Sequence, residues 1–179
     1  MVYLFLADGF EEIEALSPLD VLKRCGGTVC TVGVTGKTVK GSHGVEVICD
    51  KVVSELDGKD DFDMIILPGG MPGALNLDKD ETVDKFIALA REKDKFICAI
   101  CAAPFILGKR GILKGKRATC YPGFEDQLLG ATLENAGVVR DGKIITGRAM
   151  GSALDFAFEL AKALFGEEAA EKVRKGILY

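Results

Sequence analysis

Short, unbroken apolar runs punctuate the chain, and their length and spacing limit the folds open to it. "VYLFL" (residues 2–6), "FDMIIL" (62–67) and "KFICAI" (95–100) are each too short for an amphipathic helix. They also lack the polar alternation of a strand with one wet face, so they read as strands buried on both faces. "TVCTVGVT" (28–35) is a fourth, β-branched run, and "RATCY" (117–121) reads as a short strand. Helical patterns lie between and after them. Residues 10–25 end at Gly26-Gly27 with Lys23 and Arg24 in the last turn, where a helix dipole favours cations. Residues 81–92 repeat Val83, Phe86, Ile87 and Ala90 at helical spacing, and two helices, 152–165 and 167–175, close the chain. Hairpins are expected through residues 36–50 and in "VVRDGKIITG" (138–147), the second turning on Asp141-Gly142. This alternation predicts an α/β fold: a mostly parallel sheet with helices on both faces and the hairpins added at its edge. The 179 residues fit one domain, 1–179, with no repeat or linker.

The formal charge is -4 and no Lys/Arg-rich block is present, which argues against nucleic-acid and membrane partners and favours small-molecule or protein chemistry. No apolar run approaches the ~20 residues of a membrane span, and residues 1–6 lack the basic flank and length of a signal peptide. A cytoplasmic location is expected, with the six cysteines reduced.

In sheets of this kind ligands gather at the carboxyl ends of the strands. Three segments should converge there: residues 7–14, 67–74 and 100–104. The last contains "KFICAICAAPFILG" (95–108), which admits three readings. As a C-x-x-C redox pair it fails on geometry, because Cys98 sits inside a strand and three extended residues span roughly 10 Å, beyond a disulfide's reach. A metal clip lacks ligands, since His43 is the sole histidine, and no metal is expected. The third reading makes Cys101 a nucleophile on a strand-to-helix elbow, with Ala99 and Ala103 as small flanks and Pro104 in the first helical turn. A helix N-terminus there would lower the thiol pKa from about 8.5 into the range of roughly 3.5–7.5. Core packing is the alternative for Cys101 and the preferred reading for Cys25, Cys30, Cys49, Cys98 and Cys120.

Two features could serve such a thiol. Glu14 shares much of its helix side with Ile13, Leu16 and Val21, so it is either partly buried with a raised pKa or solvated like Glu11 and Glu12. A protonated Glu14 could donate to a thiolate. In "LPGGMPG" (67–73), Gly69 and Gly70 either offer backbone N–H groups to an anion or simply form a turn.

"DGFEEIEALSPLDVLKRCG", "LPGGMPGALNL", "AICAAP" and "TGRAMGSALDFAFEL" together resemble the ThiJ/PfpI superfamily, in the branch of the parkinsonism-associated protein deglycase. The resemblance covers nearly the whole chain and implies a flavodoxin-like three-layer sandwich, a homodimer and no cofactor. It implies Cys101 as an oxidisable nucleophile, Glu14 as its protonated partner, and Gly70 and Ala102, with Gly69 beside them, as backbone donors of an oxyanion pocket. The implied activity is glyoxalase- or deglycase-type chemistry on small α-oxoaldehydes or glycated proteins. A redox sensor or holdase whose Cys101 oxidises to sulfinic acid is the alternative, and peptidase or amidase chemistry is a weaker one. The chain departs from the family at Ala102, where members that act as proteases or strong glyoxalases place a histidine at or near the position after the nucleophile, and at Tyr121, where the parkinsonism-associated protein has one. Tyr121, Arg148 and His43 are candidate pocket residues, with His43 expected at an edge or dimer interface rather than as a base.

Overall fold

In the computed structural model, which describes residues 1–59 and 61–179, the elements follow the expected alternation. They are β1 (Val2–Leu6), α1 (Glu12–Arg24), β2 (Val29–Gly33), β3 (Thr38–Lys40), β4 (Glu46–Ile48), β5 (Lys51–Val52), β6 (Met64–Leu67), α2 (Gly73–Lys79) and α3 (Glu81–Glu92). The second half comprises β7 (Phe96–Ile100), α4 (Pro104–Lys109), β8 (Arg117–Ala118), β9 (Thr132–Leu133), β10 (Val138–Asp141), β11 (Ile144–Gly147), α5 (Ala153–Phe165) and α6 (Glu167–Gly176).

Seven strands form one sheet in the order β10-β11-β7-β6-β1-β2-β5, parallel except for β10. The five long parallel strands thus run β2-β1-β6-β7-β11, the flavodoxin-like order, with the winding reversed between β1 and β6. Within each continuous apolar run the side chains still alternate. Tyr3, Phe5, Ile65, Leu67, Ile97 and Ala99 enter one core with α2, α3 and α4. Val2, Leu4, Leu6, Met64, Ile66 and Cys98 enter the other, with α1, α5 and α6. Helices therefore cover both faces, as the unbroken apolarity requires.

The hairpins differ from the expectation in two respects. Strands β3 and β4 pair antiparallel as a separate two-stranded sheet. Strands β10 and β11 form the second hairpin, but β11 is an interior strand, parallel to β7, and only β10 is an edge addition. Its buried run "IITG" packs on both faces, which a peripheral hairpin would not need. The turn residues are Gly142-Lys143, one position later than read from the sequence, with the positive φ at Gly142 (+62°). "RATCY" contributes only two strand residues. Helix α1 begins two residues after the expected start, and the Gly26 and Gly27 N–H groups bond back to Lys23 and Leu22 at its end. No helix among the described residues is long and apolar enough to cross a membrane.

The α2–α4 core is anchored by Tyr3, Phe5, Phe62 and Phe86, whose ring centroids lie 5.3–6.3 Å apart in tilted and edge-on pairs. Phe86→Ala should cost about 3–5 kcal/mol of unfolding free energy in urea titrations, because α3 cannot collapse into a gap ringed by three other aromatics.

Candidate active site

The reversal between β1 and β6 opens a crevice at their carboxyl ends, and the chain after β7 borders it. Immediately past β7, Cys101 has φ +65°, a left-handed backbone costing about 1–3 kcal/mol for a residue with a β-carbon. Its N–H donates to the Gly147 carbonyl at 3.0 Å, its carbonyl accepts the Tyr121 N–H at 2.8 Å, and Ala103 N–H closes onto Ile100 at 3.1 Å. Ala99 and Ala103 are fully buried, and Pro104 opens α4. The expected elbow is thus present.

Glu14, in the first turn of α1, is fully buried and its Oε2 accepts the Gly69 N–H at 3.0 Å. A β-carbon on Gly69 would lie 2.6 Å from Cys101 Cβ and 2.6 Å from Glu14 Oε2, so only glycine lets the acid and the thiol close on each other. The N–H groups of Gly70 and Ala102 point at the sulfur. Gly69 is not a third such donor, because its N–H is committed to Glu14. The thiol interacts with the Glu14 carboxyl group, but without the alignment of a formed hydrogen bond: Glu14 Oε1 is buried and has no partner among the described residues.

Residues 1–163 match the DJ-1/PfpI family. The chain belongs to that family. It is 36% identical over 178 residues to the protein dj-1beta of Drosophila melanogaster, covering 98% of this chain and 95% of that one. It is 32% identical over 169 residues to a deglycase of Pyrococcus abyssi (strain GE5 / Orsay), covering 91% and 98%. Among solved structures, oxidised Toxoplasma gondii DJ-1 superposes with a TM-score of 0.95 at 35% identity, covering 99% of this chain and 97% of that one.

The electrostatics overturn one expectation drawn from the elbow. Burial pushes the Glu14 carboxyl up to about 7, with the Glu11 charge adding to the rise and the Cys101 thiol and Gly69 N–H opposing it. Burial, then the charge and contact of Glu14, push the Cys101 thiol up to about 12 against the pull of the Ala102 and Gly70 N–H groups. Helix α4 has only six residues and cannot outweigh a buried carboxylate. The thiol is therefore not acidic by itself. Between about 7 and about 12 the pair holds one proton. Moving it from Sγ to Glu14 brings no new net charge into the interior, which makes the thiolate accessible in that window.

Glu14 is buried among Ala15, Pro18, Val21 and Leu22, whereas Ile13, expected on the same side, is exposed. Tyr121 holds the elbow through its backbone and leaves its ring half-exposed. Arg148 follows the Gly147 that anchors Cys101, but its guanidinium is bonded to Asn135. Four of the five other cysteines are buried as expected, Cys25 is half-buried, and all six are free.

His43 lies on the loop joining β3 to β4. Its partners are Glu12, Glu11 and Ser42, with Nδ1 3.0 Å from Glu12 Oε2. Glu12, expected to be a solvated helix glutamate, is instead buried and carries the hairpin, accepting from the His43 N–H at 2.8 Å and from Ser42 Oγ at 3.3 Å. Only the hairpin's fold back over α1 reveals this, and no local pattern signals it. Glu11, Glu12 and His43 bring ligand-type atoms within 4.8 Å of one another, but both Glu12 oxygens are already used by the hairpin.

Since burial raises the folded-state pKa of Glu14 above its unfolded value, its contribution to stability is full below about 4.5 and is lost as pH rises through about 7. Urea titrations across that window should show a loss of roughly 3 kcal/mol assignable to this group. In Glu14→Gln that component should vanish, and an unchanged slope would mean Glu14 titrates normally.

Proposed function

We propose that the chain is a cysteine-dependent enzyme of the glyoxalase/deglycase type, acting on small α-oxoaldehydes and their adducts on proteins. The observation that carries this reading is a buried carboxyl group against the thiol with one oxygen, Oε1, unpartnered among the described residues. In the one-proton state Glu14 takes the proton from Cys101 as Sγ attacks the aldehyde carbon. The carbonyl oxygen becomes an oxyanion facing the Gly70 and Ala102 N–H groups, then receives that proton to give a hemithioacetal. Glu14, ionised again, removes the hydrogen on the former aldehyde carbon to give an enediolate and returns a proton to the neighbouring carbon, while the hydroxyl proton of the first carbon passes to the neighbouring oxygen, leaving a 2-hydroxy thioester. Water hydrolyses it to a 2-hydroxy acid and frees the thiol. Glu14 thus supplies the proton transfers for which a histidine would otherwise be sought, a role worth ~10²- to 10⁴-fold. The deglycase name of the Pyrococcus abyssi relative agrees with this assignment.

A second reading, supported by the oxidised state of the Toxoplasma gondii neighbour, is a redox sensor or holdase. In it two successive equivalents of peroxide convert Cys101 first to sulfenic and then to sulfinic acid, each releasing water, and Glu14 and the two N–H groups hold the product without turnover. The cysteine protease name of a Bacillus subtilis relative has less support here, because Ala102 follows the nucleophile and His43 is bonded to Glu12.

The proposed homodimer is supported by exposed apolar side chains at the start of α1 and on the hairpin: Ile13, Val45 and Ile48 are exposed, Ile48 at 76%. Ile48→Glu should shift the light-scattering mass from dimer to monomer, and a wild type already monomeric would sink the dimer.

Lactate formation from methylglyoxal decides the enzyme reading. Wild type should turn over, Cys101→Ala should fall to the uncatalysed rate, and Glu14→Gln should lose at least ~10²-fold in kcat/KM. If wild type makes no more lactate than Cys101→Ala, the sensor reading replaces it. The pH profile of kcat/KM should rise with a midpoint near 7, where the pair loses its first proton. A profile flat from pH 5 to 8 would mean that Glu14 is not the base.

A further inference from the structure

The opposite end of the sheet holds a second concavity that the chemistry above does not use. At the amino ends of β7 and β11 a cleft of about 550 Å³ has Ile97, Ile112 and Ile144 among its lining residues. Arg91 and Lys95 border it at the end of α3, Lys114 and Lys116 from the loop after α4, and Lys143 from the β10–β11 turn, with Asp94 the one acid among the described residues of its lining. In a chain of net charge -4 this is a local excess of positive charge.

These cations are not equally engaged. Lys95 is held by Asp61 at 3.1 Å and Lys116 by Asp141 at 3.2 Å. Arg91 and Lys114 have no ion-pair partner among the described residues, and Lys143 lies over the Phe96 ring at 4.2 Å. In the adjoining groove, by contrast, Arg110 is saturated by Asp78 at 2.7 Å and Asp84 at 2.6 Å.

We propose that this cleft binds a small phosphate monoester, its phosphate held by Arg91, Lys114 and Lys143 and its organic body lying on the part-exposed Ile112. A monoester phosphate carries about -1.5 to -2 charges near pH 7 and so matches two or three unpaired cations, where a lone carboxylate would leave them undercompensated. Arg91 adds the planar fork that suits phosphate oxygens. The volume falls in the range of small-molecule pockets, and Ile112, part-exposed where Ile97 and Ile144 are nearly covered, offers contact to an apolar or planar body that inorganic phosphate lacks. A bounded cluster on an acidic protein does not offer the extended basic track that a nucleic acid needs. Ile97 and Cys101 are four residues apart along a strand, roughly 13 Å, so the cleft is separate from the thiol site.

Calorimetric titration and backbone amide NMR of the full chain, with adenosine 5′-monophosphate as probe, test the proposal. Saturable binding is expected, with shifts at Gly111, Ile112 and Gly142. It should be at least tenfold tighter than binding of adenosine or inorganic phosphate, and unchanged in Cys101→Ala. The double variant Arg91→Ala/Lys114→Ala, on exposed positions and checked for an unaltered melting temperature, should weaken it at least tenfold, as should Lys143→Gln to a smaller degree. No binding, binding indifferent to these substitutions, or inorganic phosphate binding as tightly as the ester would overturn the proposal. So would a single-stranded oligonucleotide whose affinity exceeds the monoester's and grows with its length.

Discussion

The contact between Glu14 and Cys101 organises the crevice at the carboxyl end of the sheet, and it exists because residue 69 has no side chain. Strand β1 delivers α1 and its first-turn carboxyl group, β6 delivers the glycine, and β7 delivers the thiol. A single β-carbon at position 69 would stand 2.6 Å from both partners. The reversal of winding between β1 and β6 brings these chain ends to one crevice, so the topology and the glycine act together. Gly70, at φ +88°, is needed for a related reason: its α-carbon packs against the backbone of residues 9–11 where the chain enters α1.

Two buried carboxylates two residues apart on α1 show how environment assigns roles. Burial is the largest influence on both and raises both. Glu12 nevertheless falls to about 2, because the His43 side chain and backbone N–H groups from the hairpin more than offset that burial. Glu14 receives one backbone N–H and remains near 7. A richer hydrogen-bond supply at Glu12 and a deeper burial at Glu14 together separate a structural clamp from a carboxyl group with a raised pKa. The same clamp pushes the His43 imidazole above its ordinary range, chiefly through its bond to Glu12, which suits a holding role better than that of a neutral base.

Much of the layout was legible in the residues. Continuous apolar runs can be satisfied only between two helical layers, so VYLFL, MIIL and FICAI declared a parallel sheet before any pairing was known. The elbow was legible from Ala99, Ala103 and Pro104, and Cys98 as packing from its place inside a strand. Local patterns did not reveal partnerships across the sheet. The interior position of β11 depends on pairing with β7, more than forty residues away. Glu12 depends on the hairpin docking over α1. The thiol's titration depends on Glu14 and on burial, neither of which a motif around Cys101 encodes, so a helix-end argument alone gave the wrong direction.

The left-handed backbone at Cys101 sets the interests of the fold against those of the site. At φ +65° glycine is at ease and any residue with a β-carbon is strained, and the thiol also withdraws a polarisable group into a cramped, carboxylate-lined interior. A selection acting on folding alone would replace this cysteine by glycine and obtain a sturdier, chemically silent molecule. The thiol at this position is thus a standing tax on stability, carried by two well-packed cores that do not need it.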